Sequence, residues 1–136
     1  FEKQIHAIEE EGGPLTLDVF LERYRELLQA YFGPRFTLDE ALNLECLRIP
    51  HFYSAFYVYK YATGISAAVA LAQRVLHQGA PAVKDYLGFL KSGGSRYPIE
   101  TLESAGVDML TPGPIQETIE LFKRRLQELT ELVRKG

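Results

Sequence analysis

Eleven residues, His51 to Tyr61, hold one of the chain's three histidines and four of its eight tyrosines, Tyr53, Tyr57, Tyr59 and Tyr61. At neutral pH a tyrosine hydroxyl, with a reference pKa of about 10, and an imidazole, with one of about 6.5, are both competent hydrogen-bond donors. Donors aimed at one point can stabilise the charge that develops on a carbonyl oxygen under attack. His51 follows Pro50, where the end of one helix and the entry of the next make a corner. The plainer account is packing, with each hydroxyl reaching a neighbour or water, as most buried tyrosines do. Spacing alone favours that account. At about 100° per residue, a continuous helix puts Phe52, Phe56, Tyr59 and Thr63 on one face, with Tyr53, Tyr57, Lys60, Tyr61 and Gly64 on a neighbouring one. Tyr57 and Tyr59 then point apart, and only one face looks squarely into a cleft unless the helix is broken near its start.

Other chemistry has weaker support. No H-E-x-x-H announces a catalytic zinc. His6 and Glu10 lie one helical turn apart and could share a metal, but a third ligand is not apparent, and a packed or solvated histidine is the better reading. No metal ligands are therefore assigned in this chain. His77 is expected near a helix C-terminus, facing the last carbonyls and the dipole. Cys46, the single cysteine, reads as a buried and inert thiol and excludes an internal disulfide. The loop "SGGS" lacks the lysine and the strand-to-helix setting of a phosphate loop.

The elements that must position these residues are helical. Phe1 to Glu11 has apolar positions at helical spacing and stops at Gly12-Gly13-Pro14. Thr16 fits an N-cap for a helix that Gly33-Pro34 ends, and "TLDE", Thr37 to Glu40, matches a capping box opening a short helix toward Leu47. Pro50 interrupts, and a helix is expected from about Phe52 to Leu76, its alanine-rich second half suited to close packing at the centre of a bundle. Further helices are expected over Gly79–Lys91, Ile99–Ser104 and a final amphipathic run in which Ile115, Ile119, Phe122, Leu126, Leu129 and Val133 recur at steps of three and four. The fold class is all-α, a helical bundle of about six to seven helices in a single domain, residues 1–136.

With 46% apolar and 24% charged residues and a net charge of -3, the chain reads as an ordinary globular one without the basic stripe that nucleic acid demands. No run is long and apolar enough to span a bilayer. The cytoplasm is the expected compartment. The chain opens without methionine, inside what reads as a helix, so it is expected to be a piece of a larger protein.

Three segments, "FEKQIHAIEEEGGPLT", "IPHFYSAFYVYKYATGISAA" and "AVKDYLGFLKSGGSRYPIETLESAGVDM", resemble in order the C-terminal part of the oligoendopeptidase F family, zinc metallopeptidases related to thimet oligopeptidase. The resemblance covers nearly the whole chain. It implies a larger, mostly helical gluzincin-type catalytic domain whose zinc ligands and general base lie upstream, so zinc would be the cofactor of the intact parent and not of this piece. It also implies oligopeptide substrates. Carried over by position, His51 matches the histidine of the family's "PHFY" run, and Tyr59 matches the tyrosine that donates to the oxyanion; the two are the catalytic assignments. Thimet-type relatives have a second tyrosine three residues earlier, where this chain has Phe56, so Tyr57 or Tyr53 is the candidate substrate-binding donor. Leu47 stands where the family commonly has tryptophan. The rival account is a helical interaction or structural module with no reaction of its own. On either account the isolated piece is expected to be inactive and, with apolar surface uncovered, to self-associate.

Overall fold

A computed structural model describes residues 1–135, and among them the regular structure is helical: α1 (Glu2–Glu10), α2 (Leu17–Phe32), α3 (Glu45–Arg48), α4 (Tyr59–Gln78), α5 (Ala80–Ser92), α6 (Pro98–Ser104) and α7 (Gly113–Lys135), with 3-10 turns at Glu40–Leu44 and Pro50–Tyr53. The all-α expectation is met. Residue contacts divide the chain into two compact units, Phe1–Lys60 and the part from Tyr61 onward, and the division falls inside the first turn of α4. None of these helices is long and apolar enough to cross a membrane.

In the first unit, α1 and α2 are joined through aromatic rings. The Phe1 ring lies 6.1 Å from Phe20, 5.4 Å from Tyr24 and 5.1 Å from Phe52 between centroids, the edge-on and tilted geometry that ring quadrupoles favour. Thr16 caps α2 as expected, its Oγ1 accepting the Val19 N–H at 3.4 Å. Gly33 ends α2 in the left-handed region, at φ 77, while its N–H still reaches the Gln29 carbonyl.

The capping box at Thr37 does not form. Asp39 is the cap instead: its carboxylate accepts the Ala41 N–H at 2.9 Å and starts the 3-10 turn one residue later. An acidic side chain adjacent to the turn satisfies the free N–H more directly than a threonine two residues further back. Cys46 is 4% exposed, and its Sγ–H points at the Asn43 carbonyl, 3.0 Å away. Cys46 is buried, as expected, and that burial raises its thiol pKa.

The second unit is built on α4. Ala70 and Leu71 pack with Ala105 and Val107, and Phe89, Leu102 and Met109 close around them. The small buried side chains of this core are Ala70 on α4 and Ala105, which caps the end of α6. Arg74 ties three segments together: it donates to the Gly106 carbonyl at 2.7 Å and to the Asp85 carboxylate on α5 at 3.1 Å. Gly106 sits at φ 77 in the turn that closes α6, and a Cβ there would fall inside the Arg74 guanidinium. That requirement is invisible in the sequence, where Gly106 reads only as a loop residue.

His77 lies in the last turn of α4, the C-terminal position expected for it, and its ring pairs with the Gln73 side chain one turn earlier, at 2.9 Å.

Candidate functional site

The expected helix over Phe52–Leu76 starts seven residues late, at Tyr59. Pro50 opens a 3-10 turn instead, which its fixed φ and missing N–H suit as well as they suit an α-helix. The chain then leaves the helical region: Ser54 is extended, at φ -119 and ψ 105, and a turn closed by the Tyr57 N–H on the Ser54 carbonyl carries it to α4. Phe56, inside that turn, stands at φ 54 and is the non-glycine residue with positive φ among those described. Such a conformation costs a bulky residue about 1–3 kcal/mol unless its surroundings hold it.

The break changes which side chains meet. The two-face arrangement of a continuous helix does not exist here, and the exception weighed for a helix broken at its start is the one realised. His51 and Tyr57 stack, with centroids 5.5 Å apart and planes 19° from parallel. The Lys60 ammonium lies 4.9 Å from the centre of the Tyr57 ring, within cation–π range. Tyr59 opens α4 and is 56% exposed. Tyr53 is 78% exposed, but its hydroxyl donates to the Leu47 carbonyl at 2.8 Å. Its proton is thus engaged, and what it presents outward is the ring and an oxygen lone pair. Tyr61 is the first residue of the second unit.

Two residues that the sequence did not single out for this site reach it from α1. The Glu2 carboxylate accepts the N–H of Phe56 at 2.9 Å, and the His6 ring stacks on the Phe56 ring with centroids 4.5 Å apart. His6 is therefore packed against a ring, the first of the two states expected for it. A contact across 54 residues of sequence leaves no periodic or motif signal.

The site can donate hydrogen bonds and offer aromatic faces. It does not suit a metal, because among the described residues no three His, Cys, Asp or Glu side chains come close enough to hold one. The histidines here are instead occupied with rings and an amide: His51 with Tyr57, His6 with Phe56 and His77 with Gln73.

Residues 1–121 match the model of peptidase family M3. The chain belongs to peptidase family M3. Among M3 relatives, it is 47% identical over 135 residues to oligopeptidase PepF of Bacillus subtilis, covering 99% of this chain and 20% of that protein. It is 46% identical over 132 residues to an oligoendopeptidase F homolog of Borreliella burgdorferi, covering 97% and 22%. The crystal structure of oligoendopeptidase-F from Enterococcus faecium superposes with a TM-score of 0.90 at 42% identity, over 97% of this chain and 26% of that one. The M3 chain described here thus spans about a fifth to a quarter of the length of these relatives.

Proposed function

We propose that this chain is the C-terminal part of a zinc-dependent oligoendopeptidase that hydrolyses short peptides in the cytoplasm, and that it supplies the donor side of the substrate cleft. Membership of family M3 and identity of 40–47% to full-length relatives named oligopeptidases and oligoendopeptidases support the activity of the parent. A reducing compartment suits the unpaired thiol of Cys46. The arrangement that carries the reading is the His51–Tyr57 stack followed two residues later by the exposed Tyr59.

Zinc in this family supplies Lewis acidity. Among the described residues no group of side chains forms a site for it, which supports placing its ligands in the remainder of the parent. The contribution here is hydrogen bonding to the scissile carbonyl oxygen. A hydrogen bond donated by the Tyr59 hydroxyl strengthens as that oxygen gains charge, which is binding reserved for the transition state. His51 is the second donor, with Tyr57 lying flat against its imidazole and restricting how the ring can turn. Tyr57 and Tyr53 contact the peptide, Tyr53 through its ring and oxygen, since its proton is held by Leu47.

The test compares two purified proteins, the 136-residue chain and a longer protein in which an H-E-x-x-H segment precedes it. The longer protein is expected to cleave oligopeptides and to lose that activity to a zinc chelator, while the short chain cleaves nothing. Cleavage by the short chain would overturn the proposal; no cleavage by the longer one would overturn it too and favour a non-catalytic helical module.

A further inference from the structure

The left-handed Phe56 stands one residue before Tyr57 and three before Tyr59, so its backbone angle sets the direction in which both tyrosines leave the 3-10 turn. Phenylalanine does not hold that angle unaided. What meets it is α1, where Glu2 and His6 are separated by one helical turn and share a face. The carboxylate takes the Phe56 N–H and the imidazole covers the Phe56 ring, so backbone and side chain are gripped from one rigid element. The α1 end is itself fixed, through Phe1 against Phe20, Tyr24 and Phe52.

We propose that Glu2 and His6 are positioning residues, a clamp that holds Phe56 in its left-handed conformation and thereby orients Tyr57 and Tyr59 as donors. The inference rests on the peptidase reading above, and two readouts separate failure of one from failure of the other.

In the longer enzyme, Glu2→Ala is expected to lower kcat by about ten- to a hundredfold, the scale of a donor displaced by an ångström or so, with KM and zinc content close to wild type. Glu2→Gln keeps an oxygen that accepts the Phe56 N–H and should recover most of the rate. On a Phe56→Gly background, where the angle carries no penalty, Glu2→Ala should cost less than it does alone. In the 136-residue chain, independent of any activity, the NMR signals of the His51 ring protons, shifted by the Tyr57 stack, should move in Glu2→Ala and stay in place in Glu2→Gln. If Glu2→Ala fails to fold, His6→Leu, which keeps the carboxylate, carries the same readouts. Wild-type kcat together with unmoved His51 signals in Glu2→Ala overturns the clamp, as does a Glu2→Gln variant as impaired as Glu2→Ala. A wild-type enzyme without peptidase activity overturns the function proposed for the parent, and the NMR result alone then decides the clamp.

Discussion

At the scale of single residues, burial decides which reactive groups stay silent. Cys46 and Tyr24 are both acids whose neutral form is favoured by desolvation, and at Tyr24 the nearby Glu45 carboxylate raises the pKa further. Each folded pKa therefore lies above its unfolded value. The stability these groups contribute is present in full at neutral pH and is lost as pH climbs through the alkaline range, where the unfolded chain releases protons first. Thermal melts are expected to hold their midpoint from pH 7 up to the ordinary thiol range and to fall beyond it, and Cys46→Ala should weaken that fall. A midpoint that rises with alkaline pH would contradict the assignment. The same burial makes Cys46 slow to react: alkylation by iodoacetamide at pH 7.5 should be at least about tenfold slower in the native chain than in guanidinium. Equal rates would show that the thiol is not enclosed. Tyr59, Tyr53 and Tyr57 are exposed by contrast, and the phenols proposed to act are the ones a substrate can reach.

At the scale of elements, stability concentrates where one side chain bridges several segments. Arg74 joins α4 to α5 through Asp85 and to the end of α6 through the Gly106 carbonyl. Gly106→Ala would both strain a left-handed backbone and push the guanidinium out of its place, breaking the two bonds together. The expected cost is about 2 kcal/mol or more, read from urea unfolding of the chain. A variant within about 0.5 kcal/mol of wild type would mean that Arg74 moves aside freely. The helices themselves were largely legible in the sequence, because periodic apolar positions and the Gly-Pro breaks at Gly12-Gly13-Pro14 and Gly33-Pro34 are local signals. The start of α4 was not. Pro50 is compatible with a 3-10 turn or an α-helix, and the N–H of the left-handed Phe56 that breaks the segment is bonded by Glu2, 54 residues away. The cap at Asp39 was missed because "TLDE" offers two candidate caps and a motif match picks only one of them. The candidate site was legible in its composition and in its resemblance to a family. Its geometry, with His51 against Tyr57, depended on that unreadable break.

At the scale of the molecule, much apolar surface faces outward. Along α7, Phe122 is 66% exposed and Ile115, Ile119, Leu126, Leu129 and Val133 are exposed with it, at steps of three and four that make a continuous stripe. In the second unit an open cavity of about 760 Å³ has Ala67, Leu71, Val75, Tyr86, Phe89 and Leu102 in its walls, with Arg96 among them. Surfaces of this kind are covered in stable proteins. In the parent, the remainder of the catalytic domain is proposed to cover them. The chain purified alone is therefore expected to self-associate, with light scattering reporting a mass above the monomer's, and Phe122→Glu with Leu129→Glu should reduce that mass. A monodisperse monomer over a wide concentration range would count against it.

The division of labour proposed between this chain and a metal site in the remainder of the parent meets its most direct check at Tyr59. In the longer enzyme, turnover of an oligopeptide by Tyr59→Phe, measured beside its zinc content, is expected to fall by about a hundred- to a thousandfold, the loss typical of one oxyanion donor, while the zinc stays in place. Turnover equal to wild type with full zinc would remove Tyr59 from the chemistry and contradict the account.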